Sequence, residues 1–364
     1  MPRTLSEIVG HPFPTTIAGS FPRPSWYQTD LRDRDFREAM RDATFGDNYR
    51  DAVRVVVGDQ IDAGVDIPTD GYLWYDRHQG VNTSFLLYPA NRFEGLTVES
   101  EMNPLVPAWG VDLLAAFADT INKVAVTGQI SRGPLRTVDL WQVAQKVSPR
   151  MVKYSGGMGP ANLAGWVTNE HYADRKAMYR DLADVYNAEY KDAVAAGVEV
   201  IHVDDVGFTL HQPEDYPLVL DTLNRAFEGV DAFRIFHSCH LASGAPIGST
   251  PYAAFHEMVA KELDVEAVEY AFAETGFLDD DFRRWADFPS DKGLGIGVVD
   301  IKRLVVDSPE EIVAGIRRAL EYIDADRIHL TTDCGLLTFP RAMAKGKLKS
   351  MGIAAEILRA EIGR

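Results

Sequence analysis

Cysteine is nearly absent from this chain: there are two in 364 residues, Cys239 and Cys334. Two thiols cannot build a disulfide framework, so the pair reads as metal-binding, catalytic or inert. Long apolar runs are missing too, and no stretch approaches the roughly 18 residues that would suggest a membrane span. The opening MPRTLSEIVGHPFP has no apolar core behind its charge, which argues against a secretory leader and points to the cytoplasm. Positive charge is scarce, with 37 Lys and Arg against 54 Asp and Glu and a net charge of -17. That balance excludes a broad nucleic-acid surface, which needs a basic stripe to neutralise phosphates. An anionic ligand would have to be met locally, with Arg23, Arg77 and Arg132 as candidates. Low-complexity tracts, short-period repeats and interdomain linkers are also lacking, so a single domain over 1–364 is the simplest organisation.

What is present is an alternation. Short apolar strand candidates lie at 15–21, 65–71, 123–130, 151–157, 198–206, 233–239, 265–271, 294–300 and 327–335. Between them run helical patterns such as 47–63, 171–196, 308–322 and 341–361, with apolar residues returning every three or four positions. Strand, helix, strand in this rhythm implies a parallel sheet. Nine candidates suit an α/β (β/α)8 TIM barrel with one excursion, expected at 123–130, and an elaborated loop after the second strand, at 72–122. A barrel places its chemistry at the C-terminal ends of its strands. Gly19-Ser20, Asp70, Asp204-Asp205, His237 to Cys239, Glu269, Asp300 and Asp333-Cys334 each close a candidate strand. An open sheet would gather such residues on two or three strands, not seven.

His237 and Cys239 stand at i and i+2 in an extended strand, so both project to one face and can reach one ion. Cys334 ends a strand three units later, and Glu269 lies on the first of the two strands between. Zinc is held by such thiolate, imidazole and carboxylate donors. The competing reading makes the cysteines buried small hydrophobes and His237 a hydrogen-bonded core residue. Residue type alone leaves both open. The polar or glycine-rich loop after each cysteine favours the metal.

The segments TTIAGSFPRP, VIHVDDVGF, HSC, GIGVVDIK and TTDCGLLTFPRAMAKGKLKSM follow one another in an order that resembles the catalytic barrel of the cobalamin-independent methionine synthase family. The resemblance covers most of the chain, from about residue 13 to 361, and only the single-barrel form of that family. It implies a zinc barrel, a methyltransferase that moves a methyl group to the sulfur of homocysteine in methionine biosynthesis. Carried over by position, Zn2+ would be held by His237, Cys239, Glu269 and Cys334, with Glu262, Glu266 and Glu274 near the third of these. Gly19 and Ser20 would receive the amino acid carboxylate, Asp204 its ammonium, and Trp166 would lie near a folate. Two positions depart from the family: Tyr72 follows Gly71 where a glutamate is usual, and Asp300-Ile301-Lys302 stands where full-length members have Asp-Ile-His.

The chemistry expected is thiol activation, because binding to a cation favours the thiolate of a group whose pKa is otherwise about 8.5. A methyl on a tertiary amine also needs a proton for its leaving nitrogen, a task for Asp300, Lys302 or Asp205. A methyl on cobalt needs none, so methyl-folate and methylcobalamin both remain as donors. Three other functions compete. Alkylation of another thiol, as in epoxyalkane:coenzyme M transferases, would suit Tyr72. A lyase resembling uroporphyrinogen decarboxylase would leave His237, Cys239 and Cys334 unexplained. A non-catalytic zinc protein sits poorly with cysteines 95 residues apart, since structural sites favour closely spaced ligand pairs.

Overall fold

The computed structural model describes residues 4–363 except 28–30, 32–33, 75–76, 79–80, 83–86, 103–121, 207–210, 240–251 and 289. Six parallel strands form its centre: β1 (Tyr154–Met158), β2 (Val200–Asp204), β3 (Phe233–Ser238), β4 (Ala267–Ala271), β5 (Gly293–Val299) and β6 (Ile328–Thr332). They lie side by side in chain order from β1 to β6. The strands are buried on both faces, which is why their sequences read as apolar runs and not as an alternation.

Two irregular stretches complete the ring. Leu330 of β6 donates from its amide to Pro14 O at 2.8 Å, and Thr16 N returns to Leu330 O at 2.9 Å. Ile67 N then donates to Thr15 O at 3.0 Å, and Lys153 N, just ahead of β1, to Pro68 O at 2.9 Å. Residues 15–20 and 65–71 therefore serve as the first two staves, joined by single bridges such as Thr16 to Ile67 and Ser20 to Gly71. The eight positions make the barrel expected from the sequence. Helices cross between staves where a capping side chain starts them. Asp42 Oδ1 accepts from the amides of Thr44 and Phe45 to open Ala43–Asp62, Asp174 opens Arg175–Ala195, and Ser308 with Pro309 opens Pro309–Ala319. Such caps satisfy amides that the first helical turn leaves unpaired.

The expected excursion is real. Asn122–Ser131 pairs antiparallel with Glu94–Met102 and parallel with Val167–Asn169 in a separate three-stranded sheet. The stretch 72–122 is thus more than a loop, since its described part contains Leu87–Ala90 as a helical turn and Glu94–Met102 as a strand. Among the described residues, no helix is long and apolar enough to cross a membrane.

Candidate metal centre and active site

Register across the parallel strands sets the site. Asp204 lies opposite His237, His237 opposite Glu269, Glu269 opposite Gly295, and Gly295 opposite His329. One layer of the barrel thus carries four polar side chains and one missing one. The glycine is required, because a Cβ at Gly295 would collide with both Glu269 Cγ and His329 Nε2. Above this layer, Cys239 follows β3 and Cys334 follows β6. Their Sγ atoms stand 3.3 Å apart as free thiols, Cys239 buried and Cys334 half-buried. The sulfur of Cys334, together with burial, pushes the Cys239 thiol well above its ordinary pKa.

His237, Cys239 and Cys334 form one group of donor atoms close enough to share a metal ion. His237 Nδ1 faces Glu269 Oε2 at 3.1 Å, while its Nε2 is buried without a hydrogen-bond partner. Burial alone would lower the His237 pKa, but Cys239, Glu269 and Asp204 outweigh it and raise it to about 10. A buried orphan nitrogen beside two thiols fits a cation with affinity for nitrogen and sulfur, which is the preference of zinc.

Glu269 is placed differently from its neighbours on the cysteine side. It falls in a second group, with His202 and His237 and without the sulfurs. Its Oε2 also meets His202 Nε2 at 3.1 Å, and its Oε1 meets His329 Nε2 at 3.1 Å and Lys153 Nζ at 3.6 Å. Burial would raise its pKa, yet Lys153, His202 and His237 hold it well below the usual carboxylate range. Burial, with Lys153 adding to it, lowers His202 to about 3, so its ring is neutral and donates from Nε2. The neighbouring glutamates are committed elsewhere: Glu266 pairs with Arg234, and Glu274 with Lys302.

Of the substrate-side candidates, Gly19, Ser20, Tyr72 and Asp204 lie together at the stave ends. Gly19 has φ +92, and a Cβ there would run into the Tyr72 ring and hydroxyl. Tyr72 itself holds a left-handed φ of +55, a strained position for a bulky residue, and its hydroxyl bonds Ser155 Oγ. Burial and then the Asp204 charge push its pKa well up. Ser20 lies against Gly335, where a Cβ would meet its Oγ. Asp204 is buried, which raises its pKa. Trp166 ends the helix Pro160–Trp166 and is buried.

The acid candidates separate. Asp205 Oδ2 accepts from the amides of Ala161 and Asn162, both at 3.0 Å, at the start of that helix. Asp300 Oδ1 accepts from Lys302 N at 2.7 Å, and Lys302 Nζ reaches Glu274 Oε2 at 2.9 Å. Lys347 clamps this turn from Arg341–Ile362 by donating to Asp300 O and Asp307 Oδ2. Among the arginines, Arg132 is paired with Glu189 and Asp192, and the Arg77 side chain lies outside the described residues. Sequence reasoning missed Lys153, His202, Ser155 and His329. The signal was there in VKYSG, VIHVD and RIHLT, each with a polar residue inside an apolar strand.

Residues 13–357 match the family described as the catalytic domain of cobalamin-independent synthases. A methionine synthase of Saccharolobus solfataricus is 30% identical over 357 residues, covering 96% of each chain. One of Sulfolobus acidocaldarius is 29% identical over 355 residues, covering 96% of this chain and 93% of that one. In fold, the chain is similar to a B12-independent methionine synthase from Shewanella solved with selenomethionine, with a TM-score of 0.78, 22% identity and coverage of 96% and 99%. A second likeness, at a TM-score of 0.66 and 18% identity, covers 95% of this chain and 98% of a Listeria monocytogenes protein described as a vitamin-B12 independent methionine synthase.

Proposed function

The chain belongs to the cobalamin-independent synthase catalytic-domain family, and from that premise we propose that it transfers a methyl group to the sulfur of homocysteine, giving methionine, with zinc held at His237, Cys239 and Cys334. The observation that carries the reading is the convergence of two free thiols and one buried, unpartnered imidazole nitrogen at the barrel mouth. When bound there, zinc supplies a thiol substrate held as its thiolate near neutral pH.

The chain's own groups do the rest. The backbone turn at Gly19 and Ser20 receives the substrate carboxylate. Asp204, buried beside His237, meets the ammonium, and the Tyr72 hydroxyl closes the pocket over Gly19. The substrate sulfur attacks the methyl carbon, the bond from that carbon to its carrier breaks, and the electron pair leaves with the carrier. A nitrogen carrier takes a proton at that moment, as methyl-folate would, whereas methyl on cobalt requires none. Asp205 is spent on two helix amides, so the proton is assigned to the turn from Asp300 to Lys302.

The test is zinc content of the purified protein together with X-ray absorption before and after adding thiol, and methyl transfer assayed with each donor. A new zinc to sulfur contact with homocysteine and not with coenzyme M supports the reading. A response to coenzyme M alone would replace homocysteine, and a protein that binds no zinc would remove the proposed site.

A further inference from the structure

The second stave ends in a turn that favours glycine and yet carries a tyrosine. Gly71 and Tyr72 both hold left-handed backbone, at φ +70 and +55, a conformation that glycine adopts freely and a bulky residue does not. Strain of this kind points to function when the surrounding structure enforces it, and here every end of the side chain is held. Tyr72 N donates to Asp70 Oδ1 at 2.9 Å, the ring stands against Trp74 with centroids 5.1 Å apart, and the hydroxyl bonds Ser155 Oγ. We propose that Tyr72 is the specificity residue of the thiol site: its pinned ring is the wall that sets how long a thiol the chain accepts. The inference rests on the reading of Gly19, Ser20 and Asp204 as the polar end of that site. It deepens the reading by naming the substrate class as thiols no longer than homocysteine.

Three staves meet at this phenol. It is rooted at the end of the second, it rests on Gly19 of the first, where a Cβ would run into its ring and hydroxyl, and it is tied to Ser155 on β1. Burial, then the charges of Asp204, Asp70 and Cys334, push its pKa up against the bond to Ser155. The ring therefore stands in the field of both the group assigned to the ammonium and one of the thiols. It is also neutral, so it adds no charge beside Asp204 and discriminates by shape. A ring held at its backbone, face and tip cannot swing aside for a longer substrate without breaking the Ser155 bond and the Trp74 contact. Tyr72 and Ser155 are 2% and 8% exposed, which leaves neither of them open solvent to move into. A fixed wall of this sort separates substrates that differ by one methylene about 10-fold or more.

The test is calorimetric titration of the purified protein with homocysteine and with its homologue one methylene longer, in wild type, Tyr72→Ala and Tyr72→Phe. Wild type should bind homocysteine about 10-fold or more tighter than the longer thiol. Tyr72→Ala, which removes the wall, should bring the two affinities within about threefold of each other, while Tyr72→Phe, which keeps the ring, should retain the wild-type ratio. Equal affinities in wild type, or an unchanged ratio in Tyr72→Ala, would overturn the inference. So would a ratio lost in Tyr72→Phe, which would assign the choice to the hydroxyl. Where circular dichroism shows that Tyr72→Ala does not fold, Tyr72→Leu replaces it with the same expectation. If coenzyme M binds and homocysteine does not, the homocysteine reading fails by itself, and the ratio between coenzyme M and its longer homologue decides the role of Tyr72. Protein that binds neither thiol would sink the site and this inference together.

Discussion

Two regions of the molecule are rich in paired charge, and they behave oppositely. At the surface, Arg37, Arg132 and Arg136 line a cleft of about 260 Å³, paired with Asp139, with Glu189 and Asp192, and with Asp35. Inside the barrel, Lys153 and three histidines surround Glu269 with no solvent. Water screens the first set, so its pairs are individually worth little. In the second set every charge depends on its neighbours, and three nitrogens, Lys153 Nζ, His202 Nδ1 and His237 Nε2, are left without hydrogen-bond partners. Unused capacity in a buried place marks chemistry, while satisfied pairs in a wet cleft mark a surface.

The contrast can be tested from its strongest consequence downward. Cys239→Ser and Cys334→Ser should each abolish metal binding and lower methyl transfer about 10³-fold or more, while circular dichroism still shows a folded barrel. Full zinc content in both variants would contradict the site. Lys153→Met should cost about 3–5 kcal/mol in denaturant unfolding, the scale of breaking a buried pair. A loss under 1 kcal/mol would place this lysine on a level with the surface arginines.

Asp70 gives a pH-dependent case between the extremes. Burial raises its pKa to about 6, above the ordinary 3.8, against the opposing hydrogen bond from Tyr72 N. The folded state therefore binds the proton more tightly than the unfolded one. The stability this supplies is full below about pH 3.8 and is lost as pH rises through 6. Asp70→Asn should flatten the fall in stability between pH 4 and 6, a change of about 3 kcal/mol at most, read from unfolding midpoints across that window. An unchanged slope would show that Asp70 does not titrate there. The smallest effect belongs outside: Arg132→Ala should change stability by about 1 kcal/mol or less and shrink further in salt. A larger, salt-insensitive loss would erase the distinction between the two regions.

Much of this was legible before any coordinate. The strand candidates at 198–206, 233–239 and 327–335 contain β2, β3 and β6, because a doubly buried parallel strand leaves an apolar run in any sequence. The stretches 15–21 and 65–71 were recognised as staves, although single bridges and not regular ladders hold them. The sequence offered Asp205 as one of three candidate proton donors, and only folding showed two helix amides on its carboxylate. Lys153 and His329 went unnoticed because their partner is Glu269, and the bond between His329 and Glu269 spans 60 residues of chain.

The sequence by itself determined which residues end strands and which side of a strand they share, because the two-residue pleat and the helical repeat are local properties of the backbone. It therefore set His237 and Cys239 on one face, and Cys334 at the end of another stave. Only the tertiary structure decided which ring nitrogen of His237 is left free and where Glu269 spends its charge. Those outcomes depend on register across five staves, on the missing side chain at Gly295 and on a buried ammonium, all of which meet only once the barrel closes.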